Sequence, residues 1–209
     1  MTARPEEFIR LSLAEGGLRP PPSIVGGEEE FARRLKARSV PAWEALFERH
    51  FEPIYRYALG RLFCREAAED VAAATFDRAL STIEGYSYRG RPILAWLYGI
   101  ARNVVNETRR SEKRQRATGA LESLLHSGNG HSESQMLMPI QVDAADALVS
   151  RLDLQQAMRR LTQVQREVVL LRYFAGLSAA ESGQVIGRPE TAVYALQARA
   201  LSALRRQLA

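Results

Sequence analysis

The sequence predicts an all-α fold, with two small helical domains joined by a flexible linker, and three observations predict it. Apolar residues recur at helical spacing from about residue 28 to 113, and again from about 143 to 208. No segment of any length carries the alternation of a strand, and no internal repeat is found. Between the two blocks the pattern breaks at Gly119, at His126-Ser127-Gly128-Asn129-Gly130-His131-Ser132 and at Pro139. Such a composition does not fold alone. The expected division is a flexible N-terminal extension at 1–27, a first domain at 28–116, a linker at 117–142 and a C-terminal domain at 143–209.

The extension holds Gly16-Gly17, Pro20-Pro21-Pro22 and Gly26-Gly27, which rule out a long helix. Phe8, Ile9, Leu11 and Leu13 could form a short amphipathic piece, though a disordered tail fits them as well. Helical pattern begins at Glu28. Phe31 and Leu35 mark a first helix ending near Ser39. Pro41 opens a second, with Trp43, Leu46, Phe47, His50, Ile54, Tyr57, Ala58 and Leu62 along a broad apolar stripe. A third runs from about Arg65 to Ile83, with Ala67, Val71, Phe76 and Leu80 inward and Glu66, Glu69, Asp70, Asp77 and Arg78 outward. After the loop from Glu84 to Arg91, Pro92 opens a fourth helix through Trp96 and Val105, which ends in the basic run Arg109 to Arg116.

The C-terminal stretch carries the sharpest local signals. Thr162 and Gln165 have the spacing of a capping box, and Val164, Val168 and Leu171 follow at i, i+4, i+7. Gly176 stops that helix. Ser178 and Glu181 form a second box and start a short helix to Ile186; Gly187 supplies a sharp turn and Pro189 suits the next first turn. The last helix buries Val193, Leu196, Ala200, Leu204 and Leu208. A short helix, a glycine turn and a longer helix make a helix-turn-helix. Opposite the buried stripe lie Arg188, Thr191, Ala195, Ala198, Arg199, Ser202 and Arg206, a face that is small, uncharged or basic. A solvated helix face usually mixes Glu with Lys, so this one favours DNA reading over an ordinary bundle end.

Composition agrees with a polyanionic partner without specifying one: the 209 residues carry a formal net charge of +5, mostly through arginine. A single cysteine, Cys64, forbids an intrachain disulfide and points to a reducing compartment. Cys64, His50, His126 and His131 lack metal-ligand spacing, so neither a metal nor a cofactor is expected. No apolar run approaches the roughly 20 residues of a membrane span, and the N-terminus lacks a signal-peptide pattern. The expected location is cytoplasmic, with no membrane partner.

Four segments in order then resemble a known family. Ala42 to His50 with Ile54 to Ala58, Arg65 to Val71 with Thr75-Phe76, Ala95 to Asn103 with Arg109-Arg110, and Gln165 to Ser178 with Gly187 are together similar to sigma factors of the sigma-70 family, of the small extracytoplasmic-function type. The resemblance covers nearly everything from 28 to 208 apart from the linker. It implies a protein that binds the clamp and flap surfaces of core RNA polymerase, recognises −35 and −10 promoter elements and supports DNA opening. An anti-sigma factor is a plausible further partner.

By that resemblance, Glu69, Asp70, Val71 and Phe76 would meet core polymerase. Tyr86, Tyr88, Arg89, Arg91, Trp96, Arg102, Asn103, Arg109 and Arg110 would serve the −10 element. Single-stranded DNA wants a basic groove with platforms for unstacked bases, and these residues supply that mixture. Trp96 on an apolar stripe is equally a core residue, and Tyr86 and Tyr88 can also be loop packing. Arg188, Thr191, Tyr194, Ala195, Arg199 and Arg206 would serve the −35 element. Two departures stand out. Ala73 and Ala74 occupy positions where the family commonly has Gln and an acid, so a weaker clamp contact is expected, or one leaning on Val71 and Phe76. Tyr194 and Ala198 stand where Lys and His are frequent, so weaker or differently specific −35 reading is expected.

A stand-alone regulator with a LuxR-type helix-turn-helix also fits Leu161-Thr162, Arg166-Glu167 and Gly176-Leu177-Ser178, but it would ordinarily carry an α/β domain first. A helical adaptor without a DNA role is opposed by the acid-free face and the basic helix end. An enzyme is not expected: the chain has no phosphate-binding glycine loop, no Gly-x-Ser-x-Gly elbow and no His/carboxylate metal pattern.

Overall fold

A computed structural model of the chain describes residues 27–88, 92–125 and 145–208. The expected N-terminal extension, the core of the linker, Arg89 and Arg91 lie outside the described residues. The described chain is helical, with no strand. Helices α1 (Gly27–Lys36), α2 (Val40–Leu62), α3 (Arg65–Thr82) and α4 (Ile93–Leu125) build the first domain. Helices α5 (Ala145–Arg160), α6 (Gln163–Val169), α7 (Ala179–Ile186) and α8 (Glu190–Leu208) build the second, and a wide π turn, Leu170–Phe174, prolongs α6.

Local chemistry accounts for most boundaries. Helix α1 has Glu28, Glu29 and Glu30 in its first turn and Arg33, Arg34 and Lys36 in its last, each sign at the favourable end of the helix dipole. Pro41 sits in the first turn of α2, and Phe63 ends that helix in the left-handed region with φ 56°. The indole N–H of Trp43 donates to the Leu35 carbonyl at 3.1 Å, fixing α1 on α2. Glu28 reaches across to the start of α4, where its Oε2 accepts from the Ile93 amide at 3.0 Å. A carboxylate there meets an amide that the helix itself leaves unpaired.

The core of the first domain holds Leu46, Ile54, Tyr57, Ile83, Ile93, Leu97 and Tyr98, all fully buried. Here α3 departs from expectation. Its inward face is Ala68, Val71, Ala72, Thr75 and Ala79, whereas Leu80 is 41% exposed and Ala67 only half-buried. Small alanines let α3 lie close to α2 and α4, which turns the neighbouring leucine outward. Helix α4 also runs past the basic run to Leu125, beyond the expected start of the linker at 117.

Both predicted capping boxes form. The Gln165 amide donates to Thr162 Oγ1 (3.3 Å) and the Thr162 amide to Gln165 Oε1 (3.1 Å). At Ser178 and Glu181 the reciprocal distances are 3.1 and 2.6 Å. Gly187 takes the left-handed conformation at φ 68°. Gly183 has a separate reason: a Cβ there would stand 2.5 Å from the Arg188 carbonyl oxygen, so only glycine allows this tight turn.

The two domains pack on each other. Residues Arg166 to Leu171 are buried in every direction. One side faces α8 and the other faces α2, with α4 lying against α7. A helix buried all round belongs to an interior, here the interior of the whole molecule.

Candidate nucleic-acid and polymerase interfaces

The exposed surface of α8 is the first candidate. Arg188, Thr191, Ala195, Ala198, Arg199, Ser202 and Arg206 are all exposed, while Val193, Ala200, Leu201 and Leu204 are buried beneath them. The first turn does carry one acid, Glu190, which accepts a hydrogen bond from the Tyr194 hydroxyl at 3.2 Å. From Thr191 to the C-terminus there is none. Tyr194 is 52% exposed, so its ring is available while its hydroxyl is engaged. The pitch of α8 is held from behind. Arg172 Nε donates to Gln197 Oε1 at 3.1 Å, the Gln197 amide donates to the Tyr173 hydroxyl at 2.8 Å, and Arg172 also donates to the Leu177 carbonyl. Sequence reading missed Arg172, Tyr173 and Gln197; only their polarity in an apolar stretch signalled them.

The second candidate is a basic cleft between the domains, of about 580 Å³. Arg61, Arg102, Arg109, Arg110 and Lys113 line it from the first domain, with Asn106 and Glu112, and Gln163, Val164 and Glu167 from the second. At its floor lies Glu167, 3% exposed, whose Oε1 is 2.7 Å from Arg61 Nη1 and 2.9 Å from Arg102 Nε. The Tyr57 hydroxyl donates to the same oxygen at 3.0 Å. Arg61 Nη1 also donates to the Tyr57 hydroxyl (2.9 Å) and Nη2 to Asn106 Oδ1 (3.2 Å).

Burial opposes the charge on Arg61, but the Tyr57 hydroxyl and the Glu167 carboxylate more than offset it and hold the guanidinium firmly protonated. Tyr57 itself is held neutral by burial. Arg109 is pulled below the usual arginine range, by burial first and then by Arg61. Arg166, turned the other way, donates to the carbonyls of Met158 (2.8 Å), Arg159 (2.8 Å) and Leu161 (3.2 Å), which ties α5 to α6. Burial, then Arg109, Arg61 and Arg159, lower it to about 10.

The −10 residues expected from sequence divide. Arg102, Arg109 and Arg110 come together on the cleft; Asn103 is exposed nearby and Tyr88 is 40% exposed. Tyr86 is not an open platform: it is 3% exposed, with its ring centroid 5.1 Å from that of the half-buried Trp96. These two rings pack the loop onto α4. Lys113, which the sequence offers as a phosphate contact beside Arg109 and Arg110, also lines the cleft, and Arg61 and Asn106 are functional candidates beyond those singled out in the sequence for this region.

On α3, Glu69 and Asp70 are exposed, as expected of polymerase contacts, whereas Val71 (1%) and Phe76 (7%) face inward. Phe76 instead supports an aromatic cluster, 5.0 Å from Phe47 and 6.1 Å from Phe51 between ring centroids. Phe47 is 46% exposed, so it and Leu80 are the apolar groups this side offers a partner.

Comparison with known proteins places the chain in a family. Residues 46–115 match the model of sigma-70 region 2, and residues 151–204 match that of sigma-70 region 4. The chain is 32% identical over 159 residues to the ECF RNA polymerase sigma factor SigD of Mycobacterium tuberculosis, covering 74% of this chain and 71% of that one. The chain belongs to the sigma-70 family of RNA polymerase sigma factors. Within it, the chain is of the extracytoplasmic-function type, to which SigD belongs, and the ECF RNA polymerase sigma factor BldN of Streptomyces coelicolor is 34% identical over 179 residues. That match covers 86% of this chain and 65% of BldN's length. The fold of CnrH, solved in complex with the cytosolic domain of CnrY, is similar at a TM-score of 0.63 and 19% identity, over 87% of this chain and 96% of that one. These matches support a sigma factor and lend nothing to the LuxR-type alternative. The cleft arginines thus fall within the region 2 match, and the α8 face as far as Ser202 within the region 4 match.

Proposed function

We propose that this sigma factor binds core RNA polymerase and directs it to promoters through two separate DNA surfaces, one per domain. The observation that carries the reading is that the exposed basic face of α8, from Arg188 to Ser202, lies within the region 4 match and the cationic side chains of the cleft within the region 2 match. In this reading residues 28–116 form the polymerase-binding and −10 domain, 117–142 the linker, and 143–209 the −35 domain. Arg188, Thr191, Tyr194, Ala195, Arg199 and Arg206 meet the duplex of the −35 element. Phosphate contacts from the arginines fix the register, and small side chains between them allow close approach to base edges.

In the first domain, Arg102, Asn103, Arg109 and Arg110 hold the backbone of the opened non-template strand. Tyr88 offers an exposed ring to an unstacked base. Tyr86 and Trp96 brace that loop from within. Glu69 and Asp70 provide charged contacts to the polymerase clamp, with Phe47 and Leu80 as apolar neighbours, while Val71 and Phe76 shape the surface from beneath. The −35 domain sits against the flap. The protein works in the cytoplasm, where the polymerase is, and no described helix is long and apolar enough to cross a membrane. It performs no catalysis of its own; the polymerase makes the phosphodiester bonds. An anti-sigma factor is a natural regulator of these surfaces.

The test is transcription in vitro with sigma-free core polymerase on a promoter library. Transcripts with defined starts that depend on the added protein are expected, and aligned starts would read out both elements. Core polymerase that neither binds the protein nor gains specificity would overturn the reading.

A further inference from the structure

We propose that Gly99 sets what fits on the −10 surface: its missing side chain leaves a gap on the open side of α4, between Trp96 and Asn103, that lets one unpaired nucleobase lie directly against the helix backbone. The inference rests on the reading of the first domain as the −10 domain. A glycine inside a helix lowers stability relative to alanine, so it calls for a reason. Backbone conformation supplies none, because Gly99 is not in the left-handed region that Gly176 and Gly187 occupy. Packing supplies none either. At Gly60 of α2 an added Cβ would stand 2.6 Å from Leu170 Cδ2, and at Gly183 2.5 Å from the Arg188 carbonyl oxygen. At Gly99 it would meet nothing within 4 Å among the described residues. The fold thus requires Gly60 and Gly183 but not Gly99. Close approach of a ligand to the backbone is the use of glycine that is left.

The neighbours of Gly99 indicate the ligand. Trp96, Gly99, Asn103 and Arg110 follow at i, i+3, i+7 and i+14, which places them in one line along α4. Trp96 and Gly99 are half-buried, and Asn103 and Arg110 are exposed. The Tyr86 ring braces that of Trp96 at 5.1 Å between centroids. Neither the Trp96 indole N–H nor the Asn103 side-chain amide has a hydrogen-bond partner among the described residues. The line therefore offers a fixed aromatic ring with a free donor, an amide able to donate and accept, and a cation. A single strand has the matching parts: a flat base with a polar edge, and a phosphate farther along the chain. Trp96 and Asn103 are seven residues apart, about 10 Å along the axis, and a side chain at position 99 would stand between them. A duplex cannot use this gap, because its bases are already paired and stacked; an unpaired base can. The gap is separate from the cleft between the domains, whose lining on α4 begins at Arg102.

Gly99→Ala and Gly99→Leu fill the gap by degrees, and both introduce better helix formers than glycine. Their urea midpoints, followed by circular dichroism, should rise above the parent's. Midpoints that fell would show that the fold itself needs this glycine, against the proposal. Each chain is also assembled on core polymerase and titrated with a single-stranded oligonucleotide bearing the −10 sequence found in the promoter library, and with a −35 duplex. Gly99→Leu should bind the oligonucleotide about tenfold more weakly, the loss expected of one stacked base, and Gly99→Ala should lose less. Both should bind the duplex as the parent does. An abasic scan of the oligonucleotide locates the base: one abasic position should weaken the parent about tenfold and Gly99→Leu no further. Oligonucleotide affinity unchanged in Gly99→Leu, or one abasic profile shared by both chains, would overturn the proposal. Arg110→Ala separates that result from a failure of the −10 reading. If Arg110→Ala weakens oligonucleotide binding and Gly99→Leu does not, only the gap is lost. If neither does, the −10 surface lies elsewhere and the proposal falls with it.

Discussion

The outer face of α8 and the seam between the domains are both built on arginine, and they behave as opposites. Arg188 in the turn before α8, and Arg199 and Arg206 on the helix itself, stand exposed. At the seam, Arg61 is 2% exposed and spends its donors on Glu167, Tyr57 and Asn106. An exposed arginine adds little to folding and is available to a partner. A buried one must be paired, so it dictates what lies opposite. The same residue type is therefore a binding group in one place and a positioning group in the other, and burial alone decides which.

The contrast breaks most visibly at the two sides of α8 itself. Leu204 is fully buried and Arg206, two residues on, is exposed. Leu204→Ala should cost about 2–5 kcal/mol through lost burial and a residual cavity. Arg206→Ala should stay within about 0.5 kcal/mol. Urea unfolding followed by circular dichroism measures both. Equal losses would mean that α8 does not present these sides as described.

His50 sharpens the point about buried polar groups. It is 3% exposed and neither ring nitrogen has a hydrogen-bond partner. Burial, then Arg49, lower its pKa to about 4. The sign follows: the unfolded chain takes up a proton below the ordinary value of about 6.5, and the folded chain resists until about 4. The contribution is present above about pH 6.5 and is lost as pH falls toward 4, by about 3 kcal/mol in all. His50→Gln should flatten the stability profile over that window by this amount, read as the difference between parent and variant urea midpoints. Parallel profiles would show that His50 takes up its proton over the same pH range in the folded and the unfolded chain.

What was legible in the sequence was local. Thr162 with Gln165 and Ser178 with Glu181 are three residues apart, and a capping box needs nothing farther away. Helix-turn-helix order and the exposed side of α8 follow from the same short-range periodicity. Glu167 was not legible as a contact between the domains, because its partners lie 110 residues away at Tyr57 and 65 at Arg102. Its one trace is a charged pair, Arg166-Glu167, inside an apolar run. Tyr86 was misjudged for a related reason, since a loop tyrosine is buried or open according to what packs over it. Leu80 was misjudged because large residues mark a core face only when the facing helices leave room for them, and here alanines do the packing.

The caps give smaller, parallel effects. Ser178→Ala and Thr162→Ala each remove a side-chain acceptor from an otherwise unpaired amide, and each should cost about 1 kcal/mol. Thr162 begins the helix that carries Glu167 to the seam, whereas Ser178 begins the one that supports α8. Promoter-duplex binding should therefore fall more with Ser178→Ala, and single-strand binding should change more with Thr162→Ala. Indistinguishable binding profiles would mean that the seam and the α8 face are not separately controlled.

Arg199→Ala carries the smallest expected change in folding and so isolates function most cleanly. Its side chain is exposed, and unfolding stability should move by less than about 0.5 kcal/mol. As a phosphate contact, however, it would release a counterion on binding, so its loss should lower the slope of log affinity against log salt by about 1 and weaken binding to different duplexes alike. If affinity fell for only some sequences, Arg199 would be reading a base edge instead. If neither affinity nor slope moved, the basic side of α8 would be a solvated helix face, and the reading of this domain would have to shift to Arg188 and the turn before it.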